Sequence, residues 1–239
     1  MSVEIEIVED PARACSVMLV GAAAQGGHIA LAGGSTPRAA YSEFVTAVQA
    51  VGLDLSATTF WFGDERCVAP DDDRSNFKMV KESLLDPLGA LCQANVMRIK
   101  GELGPQGAAE DYERQLRAAG PLEFELVLLG LGPDGHTASL FPDQESLAAR
   151  SQLAFGVPDA GLEPFVPRVT LTLPALAASR RVVFLAAGAA KARAVRAAFA
   201  PGALPDPHIP ASLLVPEARA VTVLLDGPAA QELAGMEHS

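Results

Sequence analysis

Residues Phe124 to Leu131, FELVLLGL, form a nearly continuous apolar run of strand length, stopped by Gly132, Pro133, Asp134 and Gly135 and followed by His136. A strand that is apolar at successive positions has to be covered on both faces, and a parallel sheet wrapped by helices is the usual way to do it. Strand ends in such proteins are where chemistry collects, because ligands lie in the crevice outside the carboxyl ends of parallel strands. His136 stands at such an end, at what reads as a strand-to-helix turn.

The remaining segments agree with that architecture. Strand-like runs fall at 3–8, 28–32, 58–63, 95–99, 152–157, 168–172, 181–186 and 220–225, and Ala-, Leu-, Glu- and Arg-rich helical segments at 11–24, 36–51, 75–85, 106–119, 189–200 and 228–235. This alternation predicts an α/β fold, an open and mostly parallel sheet with helices on both faces, Rossmann-like in its general plan. The Pro-rich stretch PGALPDPHIP at 201–210 reads as a surface loop and not as a boundary, since only about 30 residues follow it. Residues 1–239 are therefore expected to form one domain.

With 239 residues and 49% hydrophobic content the chain can bury a large core. Its 29 acidic against 18 basic residues give a net charge of −11, and no basic run or stripe is present, so nucleic acid is not an expected partner. Cys15, Cys67 and Cys92 are odd in number and widely spaced, which argues against a disulfide framework and for a reducing compartment. The N-terminal MSVEIEIVED is acidic and strand-like, unlike a signal peptide. The apolar stretches 15–34 and 181–200 are interrupted by polar or charged residues, so no membrane span is expected. Cytoplasmic location follows. No metal is expected, because His28, His208 and His238 show no ligand spacing with His136.

Three motifs carry the candidate chemistry. In IALAGGSTPRAAYSEF a strand runs into Gly33, Gly34, Ser35 and Thr36 and then a helix with Pro37 in its first turn. The glycines permit close backbone approach, and free N–H groups with two hydroxyls suit a phosphate; a plain Ser/Thr helix cap is the alternative. In FWFGDERCVAPDDDRSNF a strand ends in Asp64, Glu65 and Arg66. Arg66 can hold an anion or a developing oxyanion, or can pair structurally with Asp64 or Glu65. Asp71, Asp72 and Asp73 read as a solvated turn, with Ser75 capping the next helix. In GLGPDGH, residues 130–136, the G-x-G-x-x-G spacing is met, yet Pro133 removes a donor and no acidic ribose ligand follows, so a dinucleotide site is not expected. His136 is a candidate base, with a satisfied buried histidine as the alternative. Arg168 begins a strand in VPRVTLTL, and Lys191 occupies a first helical turn, where a cation opposes the helix dipole unless an anion shares the site.

Taken in order, LAGGSTPRAAY, FWFGDERCVAPDDDRSNF, LLGLGPDGHTASLFP and AAGAAKARAV resemble the 6-phosphogluconolactonase branch of the glucosamine-6-phosphate isomerase/6-phosphogluconolactonase family over almost the whole chain. The deaminases of that family share several of these turns but continue toward a downstream Glu, where this chain has Phe141 and Pro142 and Glu145 comes later. The resemblance implies hydrolysis of 6-phospho-D-glucono-1,5-lactone in the oxidative pentose phosphate pathway, with no cofactor. It makes His136 the general base, places Gly33, Gly34, Ser35, Thr36, Arg168 and Lys191 around the phosphate, turns Arg66 to the sugar end and counts Asp64 among the substrate ligands. Asp134 orients the imidazole or shapes the turn. The partner is then a sugar-phosphate lactone, and the protein a monomer or weak dimer. A deaminase or isomerase acting on an amino sugar phosphate, and a non-catalytic sugar-phosphate sensor, are the competing readings. Such sensors usually carry a DNA-binding segment, and none is expected ahead of the first strand.

Overall fold

The computed structural model describes residues 3–121 and 123–233. Its strands are β1 Val3–Ile7, β2 Gly27–Leu31, β3 Thr58–Phe62, β4 Asp64–Arg66, β5 Asn95–Met97, β6 Phe124–Gly130, β7 Ala154–Val157, β8 Arg168–Leu171, β9 Val182–Ala186 and β10 Val221–Leu225. Between them lie helices α1 Pro11–Gln25, α2 Ser35–Val51, α3 Asn76–Val80, α4 Asp86–Leu88, α5 Gly104–Ala118, α6 Leu173–Ala177, α7 Ala192–Phe199 and α8 Gly227–Ala230. Seven strands form one sheet in the order β1-β10-β9-β6-β2-β3-β5, every pair parallel. The apolar run that opened the sequence reading, β6, is the central strand. From β2 the chain builds outward through β3 to β5, and from β6 in the other direction through β9 to β10. The loops after β2 and β6 therefore diverge, and a crevice opens between them at the switch point.

Helix boundaries follow local chemistry. Asp10 caps α1 by accepting the Arg13 N–H at 3.0 Å, with Pro11 in the first position, and α2 stops at Gly52 in the left-handed region. Two buried tyrosines brace strand ends. The Tyr41 hydroxyl bonds both the N–H and the C=O of Ala32, at 2.9 and 2.7 Å, and the Tyr112 hydroxyl does the same for Phe62, at 2.8 and 3.1 Å. Each satisfies backbone groups that the sheet ladder no longer reaches.

The structure departs from the sequence reading in four places. A second, antiparallel sheet, β4-β8-β7, takes the strands read at 152–157 and 168–172 and adds β4, which the sequence reading missed. No helix follows β6: residues 131–144 are turns, so His136 sits in a tight loop and not at a helix start. The helix read at 75–85 divides into α3, a π-helical turn Lys81–Leu85 and α4. Helix α8 is short, and residues 234 and 235 of the segment read at 228–235, like His238, lie outside the described residues. Cys15, Cys67 and Cys92 are all unpaired thiols. Among the described residues no helix is long and apolar enough to cross a membrane.

One packing contact yields a pH effect. The indole N–H of Trp61, the sole tryptophan, donates to Nδ1 of His28 at 2.9 Å, so the fold holds His28 neutral, and burial lowers its pKa. The unfolded chain binds the proton that the folded chain resists. This contribution is therefore complete above the unfolded value of about 6.5 and is lost as pH falls below it. Denaturant unfolding followed by Trp61 fluorescence should show a midpoint that drops between pH 7 and pH 5, and His28→Phe should make that drop shallower.

Candidate active site

A cleft of about 280 Å³ occupies the switch point, walled by the loops after β2, β3, β6 and β9. On the β2 side, Gly34 caps α2 at φ +107° and no side chain caps the helix. The Ser/Thr capping alternative is thus not realised. The ladder starts with Arg38 N–H on the Gly34 carbonyl at 3.1 Å, so the Ser35 and Thr36 amides precede it and have no acceptor among the described residues. Gly33 has to be glycine for a different reason: a Cβ there would collide with the Asn76 side chain.

On the β6 side the chain folds back sharply. Gly132 N–H donates to the His136 carbonyl at 2.8 Å, Gly135 N–H donates to that of Gly132 at 3.0 Å, and Gly135 adopts φ +83°. The Asp134 carboxylate accepts from the His136 amide at 3.2 Å and meets imidazole Nδ1 at 2.5 Å. Burial works to raise the Asp134 pKa, but the hydrogen bond and charge of His136 outweigh it and hold the carboxyl below the ordinary range. An ionised Asp134 makes Nδ1 the protonated ring nitrogen and leaves the lone pair on Nε2. Any side chain at Gly132 would strike both members of this pair. The buried Phe141 ring lies 4.7 Å from the imidazole, centroid to centroid.

The third wall comes from the small sheet. Asp64, nearly buried, accepts from Ser139 Oγ at 2.6 Å and Asn76 Nδ2 at 3.1 Å. Glu65 accepts from the amides of Arg66, Asn76 and Phe77, each at 2.7 Å, and from Ser75 Oγ at 3.0 Å, so it is a structural anchor. Arg66 pairs in register with Arg168, which places both guanidinium groups on one wall. Neither makes an ion pair within 4 Å among the described residues, and the buried Nε of each lacks a partner. Arg66 Nη1 donates to the Arg74 carbonyl at 2.6 Å, and Arg168 Nη2 to the carbonyls of Leu162 and Pro164 at 3.2 and 3.0 Å. Burial pushes the Arg168 pKa down, with Asp64 opposing, although an arginine stays charged. Lys191, in the 3-10 turn Ala189–Lys191 leading into α7, completes the lining; burial lowers its pKa and Asp134 works the other way.

Gly33, Gly34, Ser35, Thr36, Asp64, Arg66, His136, Arg168 and Lys191 all line this one cleft, and Asp134 stands behind His136. Arg66 and Arg168, which the resemblance turns to the sugar end and the phosphate, stand opposite each other across β4 and β8. Ser75 caps α3 by accepting the Lys78 amide, while Asp72 and Asp73 pair with Arg74 and Lys78 outside the cleft. Four residues around the site were not singled out from the sequence as site residues. Asn76 and Ser139 hold Asp64, Thr170 Oγ1 accepts the Ser139 amide at 3.2 Å, and Ile209 packs on Gly135. Among the described residues no group of three His, Cys, Asp or Glu is placed to hold a metal.

The fold and cleft define an open α/β protein whose switch point holds an Asp-supported histidine among three cations. The particular lineage follows from likeness. This chain belongs to the glucosamine-6-phosphate isomerase/6-phosphogluconolactonase family, whose model matches residues 7–223. A Synechocystis protein named 6-phosphogluconolactonase is 37% identical over 214 residues, covering 87% of this chain and 85% of that protein. The Homo sapiens protein of the same name is 38% identical over 192 residues, covering 75% and 74%. The crystal structure of 6-phosphogluconolactonase from Leishmania guyanensis superposes with a TM-score of 0.82 at 30% identity, over 96% of this chain and 98% of that one. A monomeric glucosamine-6-phosphate deaminase also superposes, with a TM-score of 0.81, covering 97% of this chain and 100% of that one; at 19% identity it shares the fold alone.

The steric role of Gly132 can be tested directly. Gly132→Ala should displace the Asp134–His136 pair and lower turnover by about 100-fold or more, since a shift on the order of 1 Å is enough for that. Circular dichroism of the variant should stay native, and a variant with full turnover would mean the pair tolerates the added methyl.

Proposed function

We propose that this chain hydrolyses 6-phospho-D-glucono-1,5-lactone to 6-phospho-D-gluconate in the oxidative pentose phosphate pathway. The observation that carries the proposal is the Asp134–His136 pair inside a cleft lined by Arg66, Arg168 and Lys191. In this reading the Ser35 and Thr36 amides, Gly33, Gly34, Lys191 and Arg168 take the phosphate, where each charge-assisted bond contributes about 1.5–3 kcal/mol. Asp64 accepts from sugar hydroxyls, and Arg66 meets the carbonyl end. His136 Nε2 takes a proton from water as the oxygen adds to the lactone carbonyl, then returns it to the departing ring oxygen. Asp134 keeps the imidazole in the tautomer that can do so. A lactone is already a reactive ester, so one positioned base, supplying about 10²–10⁴-fold, and one oxyanion donor, supplying ~10²–10³-fold, suffice. The protein is read as a single cytoplasmic domain acting as a monomer or weak dimer, which sedimentation would check.

Base consumption measured against spontaneous hydrolysis is the deciding assay. His136→Ala should lose about 10²–10⁴-fold in turnover while still binding 6-phosphogluconate, because the base acts on water and not on the phosphate. Lys191→Ala should lose about ten- to a hundredfold in kcat/KM on the phosphorylated lactone and little on unphosphorylated gluconolactone. Equal losses on the two lactones would mean that Lys191 supports the base and not the phosphate.

A further inference from the structure

Lactone hydrolysis changes the charge of what is bound. The oxygen of water bonds to the carbonyl carbon, the bond from that carbon to the ring oxygen breaks, and the ring oxygen takes one proton. The other proton leaves as the new acid ionises, so the product carries a carboxylate the substrate lacks. A cleft walled by Arg66, Arg168 and Lys191 would hold that product more tightly than the substrate.

One carboxylate at the cleft mouth is exposed and has no protein partner among the described residues. Asp64 is engaged by Ser139 and Asn76, and Asp134 by His136, whereas Glu163 takes no hydrogen bond or ion pair among the described residues. Glu163 lines both the cleft and the outer groove beside it, and Arg66, which borders both, stays beyond ion-pair distance. Its backbone is held on each side: the carbonyls of Leu162 and Pro164 both accept from Nη2 of the buried Arg168. The same loop approaches the reacting end through Phe141. A Cβ at Gly161 would lie 3.1 Å from that ring, whose other neighbours include the His136 imidazole at 4.7 Å and the Arg168 guanidinium at 5.6 Å.

We propose that Glu163 is a specificity-determining residue that sets its charge against the carboxylate of the product, so that the cationic cleft discriminates in favour of the lactone. The inference rests on the hydrolase reading above. Two unit charges about 6–8 Å apart at an effective dielectric of about 40–80 interact by enough to change affinity about three- to tenfold.

The test is the ratio of the inhibition constant of 6-phosphogluconate to the KM of the lactone, measured for the intact protein and for Glu163→Gln, Glu163→Ala and Glu163→Asp. The ratio should fall about three- to tenfold in the Gln and Ala variants, stay near the original in Asp, and converge across all four proteins at about 1 M salt, where the screening length is ~3 Å. A ratio unchanged in Gln and Ala would overturn the proposal. So would a rise in the Ala variant, which would make Glu163 a ligand for sugar hydroxyls. If the unmodified protein fails to hydrolyse the lactone at all, the hydrolase reading fails first, before any variant is compared.

Discussion

The Glu65 carboxylate is where the walls of the cleft are joined. It is 3% exposed and makes no ion pair within 4 Å among the described residues; its charge is met by three backbone N–H groups and the Ser75 hydroxyl. Those donors come from β4 and from the first turn of α3, so one side chain ties the end of the small sheet to the start of a helix. Burial pushes the Glu65 pKa up and the three amides pull against it. Removing the acceptor would leave those buried donors unpaired, which costs about 1–3 kcal/mol for each group. The arrangement persists because every donor is satisfied at once.

From this anchor the site is built by contact. Asn76, whose amide is held by Glu65, sends its side chain to Asp64 and lies where Gly33 would carry a Cβ. Asp64 receives Ser139 from the turn beyond His136, and the Ser139 amide reaches Thr170 on β8. Ala138, at φ +48°, takes the left-handed conformation at this turn, and Ser139, Leu140 and Phe141 after it are all buried. The loop after β2, the acidic strand end, the histidine turn and β8 are therefore linked contact by contact.

What the sequence made legible was what hydrophobic pattern and turn chemistry control. The parallel strands, the switch-point loops and most of the cleft residues follow from apolar runs ending in Gly, Asp, Ser and Thr. Strand β4 was invisible because its residues are Asp, Glu and Arg, and their burial depends on hydrogen bonds whose partners come from distant segments. The helix expected after β6 fails for a local reason: Gly132 N–H and the Asp134 carboxylate both close back onto His136. Ser139 and Thr170 carry no signature of their own, since a hydroxyl that orients a carboxylate looks the same in sequence as one in water. Ile209 is likewise ordinary in sequence, and its value lies in meeting Gly135, where its side chain and the Ala211 amide hold down the histidine turn.

Phe141 bears on the choice of chemistry within the family. The resemblance sets a second carboxylate near this position in the deaminases, where it supports the histidine in opening a sugar ring. Here an aromatic ring lies between the imidazole and Arg168, so among the described residues His136 is paired with one carboxylate, Asp134, and has an apolar surface on its flank. A histidine paired with one carboxylate can take a proton and return it to a single leaving group, which is all that lactone hydrolysis asks. Ring opening followed by proton transfer between carbons needs a further group to carry the second proton. In this chain Phe141 lies beside the imidazole instead, and its ring also meets the backbone at Gly161, on the loop that bears Glu163.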